Sequence, residues 1–180
     1  MTACFLLLNM LICVKINRYR LQITTCNHEE MYILEKVKDV PTYVRGLYAQ
    51  HPFFISDYYN ISIEQINCGT AKLSLLTDPV KHGDHRGGIL GAVLETLADM
   101  TLEVTAASVG AVASPLNISM NFINKGEAGA RVSAAARIKH HGRTTMVIEL
   151  ELRADNGRLL ATALSTLFIS NRIEAIPAQW

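Results

Sequence analysis

The stretch from His82 to Ser108 constrains this chain more than any other. A polar, glycine-rich turn, His82-Gly-Asp-His-Arg-Gly-Gly88, runs into residues dominated by Ala, Leu, Val, Thr and Glu. Ile89, Leu90, Val93, Leu94, Leu97, Ala98 and Met100 cover most of a helical circumference. The pattern predicts one long, largely buried helix over Gly87–Ser108, with Gly110 just past its end. A helix apolar nearly all round must be wrapped by something. Before it, Tyr59–Asn67 alternates apolar and polar residues as a strand does, and Ala71–Leu76 reads as its hairpin partner across Gly69. After it come four strand-like runs, Leu116–Ile123, Ala130–Lys139, Thr144–Ala154 and Leu159–Ser170. They are separated by the turns Asn124-Lys-Gly126, His140-His-Gly142 and Asp155-Asn-Gly157. Val40–Tyr48 reads as a short helix with Pro41 in its first turn, ended by His51-Pro52. The order places the chain in the α+β class, as an antiparallel sheet wrapped around one long central helix.

At 180 residues with a net charge of +1, the chain is expected to form one main domain with a real core. No basic block and few aromatics argue against nucleic acid as a partner. Cys4, Cys13, Cys26 and Cys68 form no Cys-x-x-Cys pair, and three fall in the first 26 residues. No zinc site is expected, and the usage fits a reducing, cytoplasmic compartment. The apolar run Phe5–Val14 precedes Lys15, Arg18 and Arg20, the reverse of a signal peptide, and is too short for comfortable membrane insertion. It reads as a weak anchor, an extra packed segment, or a leader from an early start codon. Residues 1–30 are taken as an N-terminal extension and 31–180 as the domain.

Glu95 is the first acid of the helix, after an uncharged run from Gly87 to Leu94. A carboxylate among apolar neighbours needs water or a partner. The Gly87–Gly88 turn leaves amide donors at the helix start, suited to polarising a carbonyl oxygen. An acid and an electrophile-polarising turn on one segment make half of an acyl-transfer site. The spacing alone also allows a solvated stripe, since Glu95, Asp99 and Glu103 share a face. Asp99 is a secondary candidate. His82 and His85 read either as loop histidines or as groups that orient water or the acyl group. No third ligand accompanies them, so no metal is expected. No Gly-x-Ser-x-Gly elbow, Walker loop or dinucleotide fingerprint is present.

The segment Arg86-Gly-Gly-Ile-Leu-Gly-Ala-Val-Leu-Glu-Thr-Leu-Ala-Asp99 resembles the hotdog-fold acyl-CoA thioesterases of the phenylacetate-pathway (PaaI-like) type. Supporting pieces are Asn121-Phe122, Gly126-Glu127, His141-Gly-Arg143 and the run from Asn156-Gly157 through Ala161 to Phe168. The resemblance covers roughly residues 45–170. In that family an Asp or Glu eight residues after the first glycine does the chemistry, which is Glu95 here. The family's turn histidine is replaced by Arg86, with His85 beside it and His82 three residues before that. The resemblance implies hydrolysis of acyl-CoA thioesters, with Glu95 as base or nucleophile and the amide of Gly88, in the Gly87–Gly88 turn, as oxyanion donor. Ser114 is expected to help hold the attacking water, and Lys139, His141 and Arg143 either form a solvated hairpin tip or meet coenzyme A phosphates. Leu90, Val93 and Leu94 are expected to line a pocket for a medium-chain or aromatic acyl group. It further implies a homodimer or homotetramer, with active sites at the subunit interface and no cofactor beyond the substrate's coenzyme A. A hotdog hydratase or dehydratase acting on hydroxyacyl thioesters, and a non-catalytic acyl-CoA sensor, are the rival functions.

Overall fold

The computed structural model describes residues 2–7, 10–17, 20–26 and 36–180. The chain divides into two compact units, Met1–Glu35 and Lys36–Trp180. In the first, β1 (Thr2–Leu7), β2 (Met10–Asn17) and β3 (Arg20–Cys26) pair antiparallel in chain order. The expected boundary between residues 30 and 31 lies outside the described residues. Among the described residues, no helix is long and apolar enough to cross a membrane.

The second unit opens with α1 (Val40–Tyr48), which Asp39 caps by accepting from the Thr42 amide at 3.1 Å and hydroxyl at 2.7 Å. The one-turn helix α2 (Pro52–Ile55) follows. His51-Pro52 therefore ends one helix and starts another, because proline fits a first helical turn. Then come β4 (Ser62–Asn67), β5 (Thr70–Leu76), α3 (Gly91–Ala107), β6 (Ala111–Phe122), β7 (Arg131–His141), β8 (Thr145–Ala154) and β9 (Leu159–Arg172). The sheet runs β4-β5-β7-β8-β9-β6, and every pairing is antiparallel.

α3 starts at Gly91, four residues later than the pattern suggested. Gly87 has φ +74°, and the backbone there is held in short antiparallel bridges, Gly83 to Ile89 and Gly88 to Glu127. The first strand of this sheet is also shorter, since Asn60 takes φ +45° in the turn before Ser62. His140 and His141 belong to β7 rather than to a turn.

α3 lies against one face of the sheet. Leu97, Ala98, Leu102, Val104 and Ala106 are fully buried, facing Leu73, Leu75, Val132, Ala134, Met146, Ile148, Leu152 and Leu167. Its buried hydroxyls bond within the helix, Thr101 to the Leu97 carbonyl and Thr105 to that of Thr101, both at 2.6 Å. At the far end, the Trp180 indole N–H donates to the Ser108 carbonyl at 2.7 Å, closing the helix C-terminus.

The two sheet edges differ. Arg45 of α1 donates to the carbonyls of Ile63 and Glu64, and a bulge interrupts β4 between Ile63 and Gln65. The β6 edge is long and bears exposed Val112, Leu116 and Phe122, with Leu164 and Phe168 exposed on the neighbouring β9.

The outer stripe of α3 carries Asp99 and Glu103, both half-buried. Burial raises the Asp99 carboxyl above its usual range. It also raises Glu103, to which the Asp99 charge adds. The Tyr48 phenol is pushed up by burial and then by Glu103. Asp99 Oδ1 is buried without a hydrogen-bond partner. Both carboxyls bind protons more tightly folded than unfolded, so stability falls as pH rises from the ordinary carboxylate range through their raised values. Asp99→Asn should therefore raise the melting temperature by a few degrees at neutral pH. The gain should fade as pH is lowered toward the ordinary carboxylate range, as thermal melts across a pH series will show.

Candidate active site at the glycine turn and the central helix

Two glycines in succession leave the turn at 87–88 no side chains to pack, so polar ties hold it. Residues 87–90 form the middle of a three-part backbone ladder. On one side Asp84 N–H donates to the Gly88 carbonyl at 2.7 Å and Leu90 N–H to that of His82 at 2.9 Å. On the other, Ile89 N–H donates to the Gly126 carbonyl at 3.0 Å and Ala128 N–H to that of Gly87 at 3.2 Å. Within the turn, Asp84 Oδ1 accepts from the amides of Arg86 and Gly88, each at 2.8 Å, and lies 3.4 Å from Lys125 Nζ. Those two amides, Gly88 first, and then Lys125 hold the Asp84 carboxyl below its usual range. Gly87 N–H is spent on the Asp84 carbonyl at 3.0 Å.

The Gly88 amide is thus already occupied in the single chain, which corrects its expected place as the open donor for an oxyanion. In the first turn of α3, where Leu90 provides no side-chain cap, the amides of Gly91 and Ala92 have no acceptor among the described residues.

Glu95 follows one helical turn later and is exposed, as are Leu90 and Ala92. Asp99 is a further turn along and half-buried. Thr96 donates to the Ala92 carbonyl at 2.9 Å and its hydroxyl oxygen meets the Tyr59 hydroxyl at 3.3 Å. Beside this start of α3 lies a hollow of about 310 Å³ lined by Ile89, Gly91, Leu94, Phe122, Ile123 and Lys125. Of the residues expected to line an acyl pocket, Leu94 borders the hollow, Val93 is buried in the core and Leu90 is exposed.

The histidines separate clearly. His82 is buried, with Nδ1 accepting from the Asp78 amide at 2.9 Å and Nε2 meeting the Tyr58 carbonyl. Tyr58 packs edge-on against its ring and Tyr59 stacks on it. Both ring nitrogens are engaged by the main chain, so His82 fastens the loop instead of facing a substrate. His85 is exposed and accepts from Arg86 Nε at 3.1 Å.

The remaining candidates lie at the other end of the molecule. Ser114 is exposed near the start of β6, opposite Phe168 of β9, and so follows the C-terminus of α3. Lys139, His141 and Arg143 cluster at the β7–β8 hairpin with Arg172 near His141. Lys139 bonds Glu149 at 3.4 Å, and Arg143 is exposed without a bonded partner among the described residues. Burial, followed by Arg172 and His140, lowers the His141 imidazole below its usual value. A single chain therefore brings together Glu95, the glycine turn and Asp99 but neither Ser114 nor the basic hairpin. Among the described residues, no three His, Cys, Asp or Glu side chains converge as a metal cage. Sequence reasoning missed Lys125, which lies far along the chain from Gly88, and only the fold lays it across the turn.

Residues 87–161 match the model of the thioesterase superfamily. No curated protein matches the sequence. Among solved structures, the Escherichia coli PaaI protein of the phenylacetic acid degradation operon superposes with a TM-score of 0.69 at 19% identity, covering 74% of this chain and 94% of that one. A hypothetical thioesterase from Streptococcus pneumoniae, solved with coenzyme A, gives 0.60 at 24% identity over 63% and 88%. A point mutant of the phenylacetic acid degradation protein PaaI from Thermus thermophilus gives 0.57 at 27% identity over 61% and 92%. With the six-stranded antiparallel sheet laid on its helix, these matches show a hotdog fold and support a PaaI-like thioesterase.

Proposed function

We propose that this enzyme hydrolyses acyl-CoA thioesters at a site formed between two copies of the chain, with Glu95 driving attack on the thioester carbon. One observation carries the reading: an exposed carboxylate sits one helical turn from two unspent amides at the start of a long helix, beside an apolar hollow. As general base, Glu95 takes a proton from water as the water oxygen bonds to the carbonyl carbon. The amides hold the developing oxyanion, and the C–S bond breaks to release coenzyme A as a thiolate. As direct nucleophile, Glu95 bonds the same carbon, the C–S bond breaks to release the thiolate, and water then cleaves the mixed anhydride to free acid and the Glu95 carboxylate. The S. pneumoniae neighbour solved with coenzyme A supports this substrate class.

Among the described residues no strand pairs with the outer edge of β6, which supports the dimer. An edge strand with free main-chain groups and exposed Leu116 and Phe122 is a template for pairing with a second copy. Antiparallel pairing about a two-fold axis near Asn117 sets the start of β6 in one protomer against its end in the other. That arrangement carries Ser114 and the basic hairpin of one copy toward the glycine turn and Phe122 of the other. Lys139, His141 and Arg143 then face the coenzyme A phosphates across the interface, and the hollow beside Leu94 takes a medium-chain or aromatic acyl group.

Glu95→Gln should lower kcat about 10²-fold or more in a thiol-release assay, with an unchanged melting temperature. Near-normal turnover would remove Glu95 from the mechanism. Leu116→Asp should shift sedimentation from dimer to monomer and abolish activity with it. An active monomer would refute the shared site.

A further inference from the structure

We infer that Asp84 and Lys125 form a positioning pair that sets the glycine turn for the reaction proposed above, on which this inference rests. Three donors converge on one oxygen: the amides of Arg86 and Gly88 and the ammonium of Lys125 all point at Asp84 Oδ1. Lys125 makes a second tie, donating to the Arg86 carbonyl at 3.0 Å. Its aliphatic stem lies across Gly88 so closely that a Cβ there would fall 1.8 Å from Lys125 Cε and 2.9 Å from Cγ. Gly88 does not have positive φ, so the backbone itself would accept a side chain. A side chain at 88 would displace the lysine strap.

The strap links the turn to the functional hollow. Lys125 belongs to the β6–β7 connection and lines the hollow beside Gly91, Leu94 and Phe122. The turn has no apolar side chain of its own between Asp84 and Ile89. Its placement relative to the free amides of Gly91 and Ala92 therefore depends on the ladder and on this ionic knot. Misplacing reacting groups by about 1 Å costs up to about 10²-fold in rate, so a loosened turn shows first in kcat. Asp84 and Lys125 act through the turn and touch no reacting atom, which makes them positioning residues.

The test compares Asp84→Ala, Asp84→Asn, Lys125→Met and Lys125→Arg with wild type. Thiol release is measured with octanoyl-CoA and phenylacetyl-CoA, and amide hydrogen exchange is measured over residues 84–92. Asp84→Ala and Lys125→Met should each lower kcat about tenfold with KM within about threefold, and speed exchange in 84–92 while the α3 core stays protected. Asp84→Asn keeps an oxygen for the two amides and should recover part of the loss, as should Lys125→Arg. Should Asp84→Ala fail to fold, Asp84→Asn and Lys125→Met carry the same comparison. Unchanged kcat and exchange would overturn the inference. So would a faster Asp84→Ala enzyme, which would make the carboxylate an obstruction, or a rise in KM alone for Lys125→Met, which would make the lysine a substrate contact. If Glu95→Gln stays active while the Asp84 and Lys125 variants behave as stated, the reading of Glu95 fails and the clamp stands.

Discussion

The structure turns on one packing problem. α3 is apolar around nearly its whole circumference, and only a curved sheet with small residues at its centre lies close enough to bury it. Ala134 and Ala136 of β7 face inward opposite Leu152 and Leu150 of β8, keeping the floor shallow where the helix rests. The arrangement leaves one longitudinal stripe of α3 outside the sheet, and every acid of the helix lies on it. Thus the same burial that stabilises the fold dictates where a carboxylate can be kept. At the exposed end of the stripe Glu95 is accessible, while Asp99 and Glu103 are half-covered and carry the cost of that covering.

The helix entrance is governed by different forces. Residues 85–88 carry no apolar side chain of their own, so their geometry is set largely by directional bonds, and the amides of a glycine turn become a limited resource. Asp84 takes two of them through its carboxylate, those of Arg86 and Gly88, and a third, that of Gly87, through its carbonyl. In the first turn of α3 the amides without an acceptor among the described residues lie further in, at Gly91 and Ala92. These lie closer along the helix to Glu95 than the turn itself does. The turn is tied and the helix start is open.

Much of this was legible in the chain because local patterns and global burial agree. The long apolar segment, the alternating runs and the Asp155-Asn-Gly157 turn each specify the element they form, and α1 begins where Pro41 suggests. Misread boundaries share a cause: a backbone bond outranked side-chain periodicity. Gly87–Leu90 carry helical character by composition, yet their carbonyls and amides pair with residues 82–84 and 126–128, so the helix waits until Gly91. Tyr59–Ile61 alternate like a strand, but Asn60 adopts a turn. For the site, the spacing from Gly87 to Glu95 was readable because both belong to one segment. His82 was not, since its two main-chain partners, Asp78 and Tyr58, determine whether an imidazole is structural. Lys125 looked like a turn residue for the same reason.

The asymmetry of the sheet edges bears on the proposed dimer. At β4, the guanidinium of Arg45 occupies carbonyls that a neighbouring strand would need, and a bulge breaks the register. At β6 only the bulges near Val112 and Pro115 interrupt the ladder, leaving Asn117 to Phe122 as a regular stretch flanked by exposed Leu116 and ending on exposed Phe122. A strand so exposed is an aggregation hazard unless it is covered, and a second copy of itself is the self-complementary cover that two-fold symmetry allows. The groups that α3 lacks near Glu95, a hydroxyl and a basic cluster, lie at the opposite end of that same strand. In the proposed dimer, one contact covers that edge and completes the site.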